Sequence, residues 1–399
     1  MHIWGILNDK RKVQFMEFLL SGILAVTWRQ AVMYVIGGVL IWLAVKKGFE
    51  PALLLPMGFG SILVNLPFSG ALDQMLQGGI ESHGIIQWLF ETTIQASEAM
   101  PILLFIGIGA MIDFGPLLSN PRMMIFGAAA QFGVFFALSA TVLLAPLFGL
   151  DMTLMDAASI GVIGAADGPT AILVSQIFNS PYMGAIAVAA YSYMALVPIV
   201  QPAAIRLVTT KKERMIRMPY NPKTVSRRTR ILFPIIVTMI AGFVAPTSVA
   251  LVGFLMFGNL LRECGVLDSL AQTARNEFAN IITLLLGLTI SFSMRAEDFV
   301  RGETLFILCI GLIAFVMDTI GGVLVAKLLN VFSKNKINPM IGAAGISAFP
   351  MSARVVQSMA TKEDRQNHLL MHAIGANVSG QIGSVIAGGI ILYLVPRFI

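Results

Sequence analysis

In the stretch GVIGAADGPTAILVSQ, residues 161–176, one ionisable side chain, Asp167, stands in an otherwise apolar run and is followed by Gly168 and Pro169. Proline has no N–H and its ring excludes the carbonyl of the preceding turn, so a helix carrying this pair leaves backbone groups unpaired. In hydrocarbon, free carbonyls survive only inside protein or beside a wet cavity, and an isolated carboxylate demands neutralisation. A small cation meets both demands. Two plainer readings stand beside it: the Gly-Pro pair kinks a membrane helix, and Asp167 is a neutral or ion-paired packing residue.

A second stretch, GAAGISAFPMSARVVQ over residues 342–357, aligns with the first at one constant offset. Gly161 falls on Gly342, Gly164 on Gly345, Pro169 on Pro350, Val174 on Val355 and Gln176 on Gln357. The glycines and proline are kept while the charge differs. The second copy offers Ser347, Ser352 and the cation Arg354 where the first has Asp167 and Thr170. Paired interrupted segments in two halves of a chain point to a transporter's binding site near the bilayer midplane.

Oxygen ligands from Asp167, the carbonyls of residues 164–168, Asn338 and Ser347 suit a hard monovalent cation such as sodium; a proton or potassium fits nearly as well on this ground alone. Tyr191 and Tyr193 follow the first broken segment, and a phenol at Tyr193 could donate a hydrogen bond or a proton, or simply pack. Asn377 and Ser384 occupy the matching span of the second half, where small and amide residues also serve as packing devices. Arg354 needs an anion, from a substrate or from Asp318 in mid-span; Asp318 could equally be a second cation ligand. His368 and His372 have the i, i+4 spacing of metal ligands but no neighbouring carboxylate or cysteine cluster. The two cysteines, Cys264 and Cys309, lie in apolar surroundings and are expected to be reduced packing residues.

Positioning these groups falls to membrane helices. With 57% hydrophobic and 12% charged residues and a mean hydropathy of +0.82 over 399 residues, the chain is too apolar for a soluble domain and is expected to be an all-α polytopic membrane protein. The start, MHIWGILNDKRKVQF, lacks the pattern of a removable signal peptide. No nucleotide loop or nucleic-acid module is evident. The net charge of +6 is concentrated between Arg206 and Arg230, in Lys211, Lys212, Arg214, Arg217, Lys223, Arg227 and Arg228, opposed there only by Glu213. This loop is expected in the cytoplasm, and docking of an acidic soluble partner is a second use for it.

Residues 1–30 are expected to form an interfacial N-terminal segment, residues 31–208 a first membrane repeat, 209–230 the basic cytoplasmic loop and 231–399 a second membrane repeat. The order of spans in the second half follows the first, and each broken segment precedes one long span. About ten full crossings result if both broken segments are re-entrant hairpins. Five crossings per half then force the repeats to be inverted, which also places Lys46, Lys47, Arg122, Lys334, Lys336, Lys362 and Arg365 on the cytoplasmic side.

The motifs GVIGAADGPTAI, AAYSYMALVPIVQP and INPMIGAAGISAFPMSARVV resemble signature segments of the membrane beta subunit of sodium-pumping biotin-dependent decarboxylases. KKGFEPALLLPMGFGSILVN, GIGAMIDFGPLLSNP and GANVSGQIGS extend the resemblance over nearly the whole chain. It implies a bacterial or archaeal membrane subunit that accepts carboxybiotin from a biotin carrier subunit, decarboxylates it with uptake of a proton and exports sodium. The biotin would be carried on the partner, not on this chain. A carboxyltransferase subunit, a small membrane subunit and homo-oligomeric assembly are implied as well. The family's essential aspartate corresponds to Asp167, its essential tyrosine to Tyr193, and its functional asparagine, glycine, serine and arginine to Asn338, Gly342, Ser347 and Arg354; Asn377 matches a further polar position on the sodium pathway. By this resemblance Asp167, Tyr193 and Arg354 are catalytic, Ser347 and Arg354 meet the carboxybiotin, and Asp167, Asn338, Ser347 and Asn377 hold sodium. Shorter loops, particularly before Asn338, are the main departure from longer members. A stand-alone sodium-coupled transporter, an antiporter or a carboxylate carrier, is the alternative.

Overall fold

The computed structural model describes residues 21–48, 50–76, 80–220, 224–244 and 246–398. Of the expected interfacial segment, residues 1–30, residues 1–20 lie outside the described residues, as does Lys223 of the basic loop; residues 21–24 are helical, and the first long helix already begins at Trp28. Helix α1 (Trp28–Lys47) starts where the Thr27 hydroxyl caps the Gln30 N–H in a capping box and stops at Gly48 in the left-handed conformation. Its last turn carries Lys46 and Lys47, which complement the negative end of the helix. Helix α2 (Pro51–Asn65) packs back along it.

There follow a two-stranded antiparallel ribbon (Gln74–Leu76 with Ile80–Ser82), which the sequence pattern did not announce, and two helices bent by 71° at their junction, α3 (Ile85–Gln95) and α4 (Ala99–Met111). Helix α5 (Pro121–Phe148) leads to the first broken segment, α6 (Leu154–Ala165) and α7 (Gly168–Ile177), then to α8 (Met183–Val208). The second half holds α9 (Arg227–Val244), α10 (Val249–Glu263), α11 (Asp268–Met294), α12 (Gly302–Phe332), the turn Met340–Ala343, α13 (Met351–Glu363) and α14 (Leu370–Leu394). A π-helical turn occurs in α3 at Glu91–Gln95 and in α11 at Ala274–Phe278.

Among the described residues five helices are long and apolar enough to cross a membrane by themselves, and seven if each of two bent pairs counts as one span. The ten expected crossings include shorter helices. The 15 residues of α2, for example, reach only about 22 Å. Enclosure separates the centre from the rim: 72% of the apolar window of α14 is buried, against 22% for α1. The side chains α1 leaves uncovered, Val35, Val39 and Trp42 among them, are apolar, as lipid contact requires.

Both broken segments enter and leave at one end. At the base of the first, the Asp156 carboxylate accepts a hydrogen bond from the Ser180 hydroxyl at 2.7 Å, joining the start of α6 to the residues after α7. At the base of the second, the amides of Asn338 and Asn367 donate to the same two carbonyls, those of Arg214 and Ile216. The two bases lie at opposite ends of α12, which is roughly 46 Å long at 1.5 Å per residue. Tyr182, beside the first base, has Glu303 and Arg301 among its charged neighbours, and near the other end of α12 Lys327 pairs with Glu213 at 3.1 Å.

Candidate functional site

The tips of the two hairpins touch. The Ser347 N–H, in the second break, donates to the Ala165 carbonyl of the first at 3.2 Å. One residue beyond Ala165 the chain passes through Ala166 in the left-handed region (φ 52°), and Asp167 then becomes the N-cap of α7. A non-glycine residue at positive φ is uncommon and collects at functional sites. It turns the backbone so that Asp167 faces the second hairpin and α14.

Around Asp167 the hydrogen bonds come from three elements. The Thr170 hydroxyl, on α7, and the Ser384 hydroxyl, on α14, both donate to Asp167 Oδ2 at 2.7 Å. The Ser347 hydroxyl lies 3.0 Å from that of Ser384. Since the Ser384 proton is committed to Asp167, Ser347 is the donor of this pair. Asp167 Oδ1 takes part in none of these bonds, and no cationic side chain pairs with Asp167 among the described residues. These hydroxyls and the Thr170 backbone N–H, which also donates to the carboxylate, are neutral donors and leave a buried negative charge several kcal/mol short of compensation, which a cation or a proton supplies.

Helix α14 brings Asn377, Gln381 and Ser384 to one face by their i, i+4, i+7 spacing. The Asn377 amide donates to the Ile346 carbonyl at 2.6 Å and the Gln381 amide to the Ser347 carbonyl. Approach is close because Gly380 lies against the Gly345 carbonyl, where a Cβ would collide. The oxygen of Asn377 is buried with no hydrogen-bond partner among the described residues, as is the hydroxyl of Tyr191. Oxygens in that condition fit a hard cation, whose coordination would satisfy them.

A cavity of about 250 Å³ reaches this cluster, lined by Asp167, Tyr191, Ser347 and Gln381 at one end and by Glu50, Met111 and Asn280 towards the other. Tyr191, not Tyr193, faces it, with its ring pressed on Gly168 where any Cβ would collide. The Tyr193 hydroxyl donates instead to the Leu308 carbonyl of α12. Two residues on a helix differ by about 200°, so only one tyrosine can face Asp167.

Two further predicted residues stand apart from this cluster. Asn338 sits at the base of the second hairpin, with its amide on the loop carbonyls and its oxygen accepting from the Met340 N–H at 3.1 Å. Arg354 lines a separate groove of about 460 Å³ with Arg206, Lys362, Ser358, Pro198 and Pro202. Its anticipated partner Asp318 lies elsewhere, accepting from the Gly133 N–H where α5 is interrupted, with Oδ2 buried and unpartnered among the described residues. Between the groove-lining Pro198 and Pro202 of α8, Gln201 reaches the second hairpin, donating to the Ala343 carbonyl and the Ser352 hydroxyl at 2.7 Å each.

Part of the basic segment is neutralised locally. Arg214 pairs with Glu363 at 2.8 Å and Arg217 with Asp364 at 2.5 Å, both beyond the loop's own sequence. The Arg217 hydrogen bond holds the Asp364 carboxyl below its ordinary range. His372 packs edge-on against Tyr220, with ring centres 5.4 Å apart, and Cys264 and Cys309 are free thiols.

Gln381, Gln201 and Tyr191 were not singled out as site residues by the sequence pattern. The i, i+4, i+7 spacing of Asn377, Gln381 and Ser384 was the signal available for Gln381; nothing local marked Gln201.

Comparison with known proteins identifies the family. Residues 29–395 match the family model of the Na+-transporting oxaloacetate decarboxylase beta subunit. The chain is 44% identical to the oxaloacetate decarboxylase beta chain of Klebsiella pneumoniae, over 91% of this chain and 94% of that one. It is 45% identical to the methylmalonyl-CoA decarboxylase subunit beta of Propionigenium modestum, over 94% and 97%, and 44% identical to the glutaconyl-CoA decarboxylase subunit beta of Acidaminococcus fermentans, over 94% and 96%. The motifs, the apolar helices and these matches together establish that the chain belongs to the Na+-transporting decarboxylase beta subunit family.

Proposed function

We propose that this chain is the membrane subunit that decarboxylates carboxybiotin delivered by a biotin carrier subunit and couples that step, with uptake of a proton, to sodium export. The observation that carries the coupling is the junction of two hairpin tips at Asp167, where one carboxylate and three hydroxyls converge, with the unpartnered amide oxygen of Asn377 two turns from Ser384 on the same face of α14. Sodium, the transported substrate, binds Asp167 with Ser347 and Asn377. Asn338 contributes by clamping the hairpin that presents Ser347. Tyr193 and Arg354 take the chemical roles that the family assigns to their positions, and Tyr191 lines the access to the cation.

Arg354, Arg206 and Lys362 make the groove cationic, and a carboxylated biotin is an anion, so the groove is the docking place for it. Gln201 connects the groove to the second break, so occupancy of one site alters the backbone that frames the other. The acyl substrate would meet a different, carboxyltransferase subunit, and a small membrane subunit and further copies of this chain complete the assembly.

Two inverted membrane repeats with about ten crossings accommodate these features. The matched glycines and prolines, the π turns in α3 and α11 and the opposed hairpin bases support that arrangement. The basic segment then faces the cytoplasm of a bacterial or archaeal cell. It is the surface on which the soluble carrier would approach Arg354.

Decarboxylation of free carboxybiotin by the purified subunit, with its small membrane partner where required, tests the reading as sodium is varied. Sodium-dependent turnover that disappears in Asp167→Asn is expected. Sodium flux in liposomes without any turnover would replace this reading with that of a stand-alone transporter.

A further inference from the structure

The cavity that ends at Asp167 has a second carboxylate on its wall. Glu50 lies between α1 and α2, half-buried, and is the N-cap of α2. Its backbone is left-handed, with φ 35° and ψ 56°, a conformation that is costly for a residue with a Cβ. Glycine would adopt this backbone at lower cost. None of the ion pairs among the described residues includes Glu50, although α1 ends in Lys46 and Lys47.

What lies between the two carboxylates is polar at several points. Tyr191, only 5% exposed and with an unpartnered hydroxyl, lines the same cavity, as do Thr283 and Asn280 of α11. The outer end of the cavity is at the end of the molecule that carries the basic segment. Met111, on its wall, closes α4; just beyond it Asp113 pairs with Arg262 at 3.5 Å, while Arg227 donates to the Cys264 carbonyl and Arg230 pairs with Glu263 at 3.7 Å. These contacts gather the ends of α4 and α10 with the start of α9, directly after the basic segment.

We propose that Glu50 is an outer cation-binding carboxylate, which takes a hard monovalent cation at the mouth of the cavity and passes it to Asp167. Many basic side chains at one end of a membrane protein repel small cations, and a carboxylate at the mouth offsets that repulsion by raising the local cation concentration. The proposal rests on the reading of Asp167 as the sodium site. It predicts a role in capture and none in the decarboxylation step itself.

The test is sodium activation of carboxybiotin decarboxylation in the assembled complex, comparing Glu50→Gln, Glu50→Gly and Asp167→Asn with the unaltered protein. Glu50→Gln removes the charge at constant shape, and Glu50→Gly also relieves the backbone, so a merely structural role would leave the glycine variant unimpaired. Both are expected to raise the sodium concentration for half-maximal rate by roughly ten-fold, with the maximal rate regained at saturating sodium, as one charge acting through a part-solvated cavity allows. An unchanged half-saturation in Glu50→Gly, or a maximal rate lost at every sodium concentration, would overturn the role of Glu50. Sodium activation that survives in Asp167→Asn would instead overturn the underlying assignment of Asp167.

Discussion

Asp167 and Asp318 are both enclosed carboxylates within membrane helices, 3% and 0% exposed, and neither pairs with a cation among the described residues. Their surroundings differ in kind. Asp167 is held by hydroxyls from α7 and α14 in addition to the Thr170 backbone N–H, at a junction of two chain breaks, and opens on a cavity. Asp318 is held by the backbone N–H groups of Gly133 and Val134 at one interruption in α5 and lines neither the Asp167 cavity nor the Arg354 groove. Hydroxyls can rotate and exchange donor for acceptor roles as a cation arrives, whereas a backbone N–H can only donate. Burial of an acid is therefore a weak sign of ion transport by itself; rotatable partners and access are what distinguish the two sites.

The largest effect is expected for Asp167→Asn. An amide cannot supply the negative charge, and loss of one partner from a buried charged pair costs about 3–5 kcal/mol. Sodium-dependent decarboxylation and sodium binding should both fall by two orders of magnitude or more, measured on protein that still elutes as a single species. Retention of both would erase the contrast. Asp318→Ala is expected to act on stability, because the Gly133 N–H loses its acceptor in a dry interior, a loss of about 1–3 kcal/mol. Thermal unfolding in detergent should report it, with sodium half-saturation unchanged within about two-fold. A shift of ten-fold or more would make Asp318 a second ion site and break the comparison.

Asn377→Leu sharpens the same contrast at one remove. It deletes the unpartnered oxygen and also the donor to Ile346, so sodium affinity should fall by roughly ten-fold, the worth of one good polar contact. Isothermal titration with sodium would measure it, and an unchanged affinity would remove Asn377 from the ion site.

The smallest effect concerns the base of the second hairpin, outside the membrane spans. The Arg217 hydrogen bond lowers the Asp364 carboxyl from its ordinary 3.8. A carboxyl depressed in the folded state contributes stability above its unfolded value and loses it as pH falls through the folded one. Hydrogen exchange of the loop amides, corrected for intrinsic rate, should show constant protection of residues 214–217 from about pH 7 to about pH 5 and weakening only in stronger acid. In Arg217→Ala that protection should already be lower at about pH 7 and change less as the pH falls. The Asp167 cluster should be indifferent to the substitution.

Much of the molecule was legible in the chain. Composition implied membrane helices, and the glycine-proline breaks at residues 161–176 and 342–357 marked the two segments that meet. Ser347 and Ser384 were named among the candidate ligands and share hydrogen bonds beside Asp167, while Asn377 bonds the Ile346 carbonyl two turns along α14. Other groupings were not legible. Asn338 and Arg354 belong to the same motif as Ser347, yet a hairpin sends its base, its tip and its far face to three different places. Tyr193 and Tyr191 are equally plausible in the string AAYSYM, because a choice between two faces of α8 depends on how that helix is rotated against its neighbours.

Sequence by itself determined the class of protein, the positions of the breaks, the isolation of Asp167 and membership of the family. These follow from local chemistry: residue polarity decides partition into lipid, and glycine and proline decide where a helix cannot continue. Tertiary structure alone decided that the two breaks share hydrogen bonds, that Tyr191 faces the cavity, and that Glu50 and Asp167 line it together. Such facts depend on the packing of elements hundreds of residues apart, as in the bond from Ser384 to Asp167, for which no local spacing exists to be read.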